Sequence, residues 1–346
     1  MDDAPITIDG LVISRWSRAV FEDMAAGGLT AANCTCSVWE NFRDTMEAMA
    51  AWRRRFVEHA DLIRPVETAD DIRAAHREGR VGIILGWQNL SAIEDRIDFL
   101  DLFHGLGLRV AQLTYNTRNL VGSGCWESRD GGLSDFGRHV IARMNELGIV
   151  IDLSHVGETT SAEAIAASAR PVAYTHVAPR ALKDHARNKT DGELRAVAEP
   201  GGFVGYATYP AFLPSGGAAT LDEIVDGFEH MIGVCGEEAV GVGTDFTQDQ
   251  PLAFFEWLRR DKGDGAFCVP GTPAVPKMPE GLARLSDYPN LIRAMERRGW
   301  PAARIERIMG LNWLRFLEEA WAPGAAASAV ASPPRADQTE RRTTHA

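Results

Sequence analysis

Ile149-Val150-Ile151-Asp152-Leu153-Ser154-His155 and Pro171-Val172-Ala173-Tyr174-Thr175-His176 are two short, largely apolar runs, each ending in a histidine. Between them Thr160 and Glu163 stand three residues apart. That is the spacing of a capping box, and it predicts that a helix opens there. Strand, helix, strand is one βαβ unit, which places both strand ends on the same rim of a parallel sheet. Two imidazoles on one rim suit a metal ion or an acid–base pair. The plainer alternative is a pair of unrelated polar loop residues. The rim at the C-terminal ends of barrel strands carries chemistry far more often than the opposite face, which favours the functional reading.

Working outward, eight β-rich runs are predicted, at 6–13, 29–36, 81–86, 108–113, 149–153, 172–175, 203–207 and 240–243. Most are near-continuous apolar runs, as expected of strands buried on both faces of a parallel sheet. Helical patterns lie between them. In 133–147, Phe136, Val140, Ile141, Met144 and Leu147 share one face, and Gly148 is a natural stop. The stretches 95–106 and 221–234 read similarly. Eight alternating units predict an α/β fold of the (β/α)8 TIM-barrel type. A doubly wound open sheet is the rival, but no glycine-rich phosphate loop follows an early strand. Gly241-Val242-Gly243 lies within a strand.

The chain is therefore read as one barrel domain over residues 1–321. It includes an irregular, proline-bearing excursion at 247–283 and two terminal helices at 288–298 and 302–321. Long excursions of this kind often act as lids or cover a dimer surface. Residues 322–346, rich in Ala, Pro, Ser, Thr and charge, are predicted to be disordered.

Composition sets outer bounds. Of 346 residues, 45% are hydrophobic and 24% charged, which is ordinary for a globular protein. A formal net charge of −12 argues against a nucleic-acid partner. No apolar run is long enough to span a bilayer, and the start, Met1-Asp2-Asp3-Ala4-Pro5, reads as no signal peptide. Five cysteines without scaffold spacing predict free thiols in a reducing cytoplasm.

The predicted strand ends supply the polar inventory: His155, His176 and Asp245, with Gln88 and Tyr115 nearby. Two imidazoles and a carboxylate could hold one Zn²⁺ with a position left for water, which such an ion would acidify toward neutrality. Asp245 could instead carry protons, or simply cap the segment that follows it. Arg187, eleven residues after His176, could clamp a substrate carboxylate bidentately or be a solvated loop cation.

At these residues the chain resembles the membrane dipeptidase family, renal dipeptidase-like metallopeptidases related to amidohydrolases, over roughly residues 5–320. The resemblance rests on Gly132-Leu133-Ser134-Asp135-Phe136-Gly137, Met144-Asn145-Glu146-Leu147-Gly148, Asp152-Leu153-Ser154-His155, the strand ending at His176, and Arg187-Asn188. It continues in Gly201-Gly202-Phe203-Val204-Gly205, Gly241-Val242-Gly243-Thr244-Asp245-Phe246 and Ile308-Met309-Gly310-Leu311-Asn312-Trp313-Leu314-Arg315. It implies a metallo-dependent hydrolase-like barrel, a homodimer, and two zinc ions joined by a glutamate. A His-x-Asp pair at the first strand would hold one zinc, and two histidines after strands five and six the other. An aspartate after strand eight would handle the proton, and an arginine and a further histidine would bind substrate. His155 and His176 match the second zinc site, Asp245 the proton carrier, and Arg187 the carboxylate clamp.

The remaining positions depart from that pattern. The first-strand pair reads Leu11 and Ile13, the bridging glutamate reads Gln88, and the substrate histidine reads Tyr115. Leucine and isoleucine cannot ligate, and a neutral amide bridges two cations poorly. Three readings follow: a hydrolase with one metal at His155 and His176; a rebuilt site using Cys34, Cys36 or Cys125; or a metal-free relative that binds a small molecule. Small buried hydrophobes are the plainer account of Cys34 and Cys36. The leading expectation is a cytoplasmic, dipeptidase-like hydrolase of a small peptide or amide bearing a carboxylate, with at most one zinc per chain. Its substrate would be held by Arg187, Tyr115 and Gln88. The alternative is a non-hydrolytic relative that binds a small carboxylate ligand, and a structural or partner-binding role stands third.

Overall fold

The computed structural model describes residues 5–322; the predicted disordered tail at 322–346 lies, apart from Ala322, outside the described residues. The eight predicted strands all form. In chain order they are β1 (Ile8–Val12), β2 (Ala31–Ser37), β4 (Val81–Trp87), β5 (Leu108–Gln112), β6 (Val150–Asp152), β7 (Ala173–Val177), β8 (Phe203–Tyr206) and β9 (Val240–Val242). A ninth, β3 (Ile63–Pro65), was too short to register as a run, and it pairs only with the start of β4. All pairings are parallel, in the order β1-β2-β4-β5-β6-β7-β8-β9. The ring closes just past β9, where Val12 bridges to Phe246 and the Ile13 N–H donates to the Phe246 carbonyl at 2.8 Å. This is a (β/α)8 barrel.

The helices are α1 (Arg18–Ala26), α2 (Phe42–Glu58), α3 (Ala69–Glu78), α4 (Phe99–Gly105), α5 (Asp135–Leu147), α6 (Glu158–Ala167), α7 (Asp191–Ala198), α8 (Leu221–Cys235), α9 (Leu252–Leu258), α10 (Tyr288–Arg297), α11 (Ala302–Glu306) and α12 (Asn312–Ala320). Helix α5 follows its sequence pattern: Ser134 caps it through the Gly137 N–H, Gly148 ends it at positive φ, and Val140, Ile141 and Met144 are buried. Helix α4 starts four residues later than its pattern predicted.

Helix α6 corrects the capping-box reading. It opens at Glu158 after Gly157 with no side-chain cap. Thr160 is already inside it, and its hydroxyl donates to Asp130 at 2.6 Å. Glu163 accepts instead from the Leu133 N–H at 3.1 Å and from Arg138. Both side chains serve the 118–133 loop, a tertiary use that outweighed local capping.

Two further corrections concern the C-terminal part. The excursion at 247–283 is not wholly irregular, because it carries α9. The single predicted helix at 302–321 is α11, a π-helical turn at Arg307–Leu311, and α12. Within that turn a Cβ on Gly310 would strike the Ile6 carbonyl, so the glycine lets the helix lie against the chain entering β1. Helix α12 sets Trp313, Leu314, Phe316 and Leu317 against Ile8, Val150, Ala173 and Phe203. These four are the first residues of β1, β6, β7 and β8, so α12 plugs the bottom of the barrel and leaves the opposite rim for chemistry. No helix among the described residues is long and apolar enough to cross a membrane.

Inside the barrel, β7 shifts register between Tyr174 and Val177. A Cβ on Gly10 of β1, on Gly205 of β8, or on Gly243 just past β9 would collide with the Thr175 carbonyl oxygen. Three glycines thus admit one inward-turned peptide, and that peptide leads into His176.

Candidate active site

Every predicted polar residue lies at the top rim. Gln88 follows β4, Tyr115 and His155 stand three residues past β5 and β6, His176 is within β7, and Asp245 stands three past β9. Gln88, Tyr115, His155, Arg187 and Asp245 line one cavity of about 120 Å³. His176 is fully buried behind His155, their Nε2 atoms 3.1 Å apart.

Hydrogen bonds decide which nitrogens of this pair are free. Asp152 accepts from the Ser154 N–H at 3.0 Å, the Thr175 N–H at 3.1 Å and the Thr175 hydroxyl at 2.7 Å. That hydroxyl has spent its proton, so at 2.8 Å it accepts from His176 Nδ1–H. His176 Nε2 is then a bare lone pair. His155 Nδ1 lies 2.8 Å from Asn116 Oδ1, an oxygen that also faces the Cys125 thiol at 3.8 Å. A proton on His155 Nδ1 leaves its Nε2 bare as well. Burial, reinforced by the Arg187 charge, pushes both imidazoles well below the usual histidine range, so both are neutral.

Two bare lone pairs face to face repel unless a cation or a proton lies between them. Two nitrogens bound to one zinc at ~2.0–2.1 Å near the tetrahedral angle lie roughly 3.3 Å apart. Neutral, facing imidazoles at the observed spacing therefore fit a single ion as two of its ligands. Among the described residues no third His, Cys, Asp or Glu joins them.

The other half of the two-zinc pattern does not fit. Ile13 is packed with Val38, Trp39 and Tyr115 beneath Phe254, Trp257 and Leu258, an apolar cluster. Gln88 donates to the Thr35 hydroxyl at 3.0 Å. Of the cysteines in the rebuilt-site reading, Cys34 and Cys36 belong to the hydrophobic core and Cys125 faces Asn116 Oδ1 at 3.8 Å; among the described residues none of them completes a group of three potential metal ligands. Tyr115 stacks on His155, ring centroids 4.1 Å apart, and so orients that imidazole.

Arg187 is not a solvated cation. It is 3% exposed, has no carboxylate within ion-pair distance among the described residues, and its Nε–H has no acceptor. Its terminal nitrogens donate to the Ser154 carbonyl and, at 3.1 Å, to the His176 carbonyl. Phe212 lies against its plane, 5.1 Å from the guanidinium carbon to the ring centroid. Each terminal nitrogen keeps a second proton able to donate, whereas the Nε–H is enclosed.

Asp245 is not a cap. It sits at φ +61°, its carboxylate accepts no hydrogen bond from the described residues, and the next helix starts seven residues on. Burial pushes its carboxyl up to about 7, against the pull of Arg187 and with the help of Asp9 and Asp152. A carboxyl poised near neutrality can both take and return a proton.

Sequence reading did not single out Asn116, Thr175 or the Asp152 hub, nor the aromatic wall of Trp126, Tyr209 and Phe212. It also did not assign Phe255, Leu258 and Arg259 to the site; the excursion brings them there. Asp152 and Thr175 sit beside the two histidines in the quoted stretches, which was the available signal. For the excursion the only signal was its length, which named no residue.

The family model described as membrane dipeptidase (Peptidase family M19) matches residues 16–257 and 254–329. An uncharacterized dipeptidase of Schizosaccharomyces pombe is 33% identical over 281 residues, 79% of this chain and 61% of its own length. The chain thus spans about three fifths of the length of the curated relatives it matches. A solved structure of an amidohydrolase from Pseudomonas aeruginosa is 46% identical, with a TM-score of 0.89 over 92% of this chain and 97% of that one. A metallopeptidase from Rhodobacter sphaeroides, solved with a phosphinate mimic of the dipeptide L-Ala-D-Ala, shares the fold at 22% identity and a TM-score of 0.77, over 92% of this chain and 100% of that one. The barrel, the rim and the family match over most of the described chain lead to one statement: this chain belongs to the membrane dipeptidase family of metallopeptidases.

Proposed function

We propose that the chain is a hydrolase of small amides that carry a free carboxylate, with at most one metal ion at His155 and His176. The observation that carries this reading is the buried Arg187, with no carboxylate within ion-pair distance among the described residues, lining one cavity with Asp245 and His155. A buried cation without a partner is costly, and a ligand carboxylate on its remaining terminal N–H groups would offset that cost. In this reading Arg187 fixes the carboxylate end and Tyr115 and Gln88 border the acyl end. Asp245 takes a proton from water as the water oxygen bonds to the carbonyl carbon. It delivers that proton to the amide nitrogen as the C–N bond breaks, so the products are a carboxylic acid and an amine. A zinc ion held by the two imidazoles would polarise the carbonyl and acidify the water.

The resemblance also implies a homodimer, and five free thiols suit a reducing compartment such as the cytoplasm. Light scattering on the purified chain checks the dimer. The test of function is a panel of dipeptides and acyl amino acids assayed with Zn²⁺ supplied or chelated. Carboxylate-bearing amides should be turned over, and the same amides with the carboxylate capped should not. Turnover that ignores the carboxylate would refute the clamp. If carboxylate compounds bind without being cleaved under any metal condition, the non-hydrolytic alternative holds.

A further inference from the structure

The cavity wall carries an imbalance of charge. Its cations are Arg187 and Arg259, and its one carboxyl is Asp245. His185 is held to about 4, mainly by burial and then by Arg187. The remaining wall is chiefly apolar or aromatic. It includes Tyr209 and Phe212, Phe255 and Leu258 of α9, and Ile13, which stands where the two-zinc pattern would have placed a ligand and packs with Tyr115.

A free dipeptide is a zwitterion. Seating its carboxylate on Arg187 carries its α-ammonium past the scissile amide, toward Ile13 and Tyr115. That end offers no anion, and a buried ammonium without one is strongly disfavoured. Asp245 does not supply the missing charge, since its proposed task, proton transfer at the scissile amide, commits its carboxylate there. A cation held between His155 and His176 would only deepen the imbalance.

We infer that the site selects amides whose amino end is blocked, N-acyl amino acids with a free carboxylate and an uncharged apolar acyl group, over free dipeptides. This deepens the proposed function and rests on its carboxylate clamp. The pair N-propionyl-leucine and alanyl-leucine isolates the point, because the two differ only in the α-ammonium. Each is titrated calorimetrically into the purified full chain as its L- and D-leucine forms, with N-propionyl-leucinamide as the capped control. The propionyl compound should bind at least about tenfold more tightly than its alanyl partner, a difference of about 1.4 kcal/mol. Asp245→Asn should leave that preference in place. Equal or tighter binding of alanyl-leucine would overturn the inference while leaving the clamp intact. Binding of the leucinamide as tight as that of the acid, or no binding by any of the compounds, would overturn the clamp and the inference with it.

Discussion

Asp245 and Arg187 illustrate how much of a residue's role lies outside its position in the chain. Both were legible as rim residues, but the two facts that give them chemistry were not: burial that lifts Asp245 to about 7, and the want of an anion beside Arg187. Burial depends on what later segments lay over a site. For Asp245 the sign of the pH linkage follows directly. A carboxyl whose folded-state value is raised from an ordinary 3.8 contributes stability that is full below about 3.8 and is lost as pH rises through about 7. In metal-free protein, wild type should therefore lose up to roughly 2–3 kcal/mol relative to Asp245→Asn between pH 5 and pH 8. Parallel urea titrations of both proteins measure this, and the histidines, common to both, cancel. The same substitution should lower turnover ~10²–10⁴-fold while changing substrate binding far less; near-full turnover would leave Asp245 without a catalytic part. Arg187→Lys should weaken carboxylate ligands by ~1.5–3 kcal/mol, because an ammonium offers no fork. Calorimetry that finds equal affinities would remove the clamp.

At the scale of elements, the barrel strands were readable because strands buried on both faces are written as unbroken apolar runs. The failures have specific causes. Strand β3 is three residues long and ends in proline. Helix α9 sits among prolines, and its packing against Ile13 and Tyr115 is tertiary. The Thr160–Glu163 spacing mimicked a cap, yet both side chains were committed elsewhere. The glycines around Thr175 give a prediction at this scale. Gly243→Ala forces a methyl group into backbone that side-chain adjustment cannot move, so it should cost ~1–3 kcal/mol or more. It should also disturb His176, the next residue after the carbonyl that is struck. Thermal melts and metal-binding titrations of this variant should therefore fall together. A variant with lost stability but intact metal affinity would uncouple the peptide from the site.

Across the whole molecule, stability and chemistry occupy opposite ends. Helix α12 seals the bottom with Trp313, Leu314, Phe316 and Leu317, while the top rim carries every ionisable group of the site. The fold class was legible from the alternation of runs, because one period repeats across the chain and single errors do not erase it. The site was legible where its residues end strands and illegible where the 247–283 excursion contributes a wall. The altered ligands predict a global count. Chain purified without added metal and then dialysed against Zn²⁺ should hold no more than one tightly bound ion by elemental analysis, and His155→Ala or His176→Ala should lose most of it. Two full equivalents per chain, or unchanged content in both variants, would reject the site.

The peptide wedged among Gly10, Gly205 and Gly243 has a mechanical consequence. Backbone lies on backbone there, so the ground beneath His176 cannot yield, whereas His155 is steered by Asn116, a loop residue at φ +57°. The pair therefore combines one stiff partner and one compliant one. Any adjustment on loading the cavity falls to His155 and the loop from 116 to 126, with His176 as the fixed point. Chemical shifts of the two imidazoles should register that asymmetry, the resonances of His155 moving with each new ligand and those of His176 hardly at all.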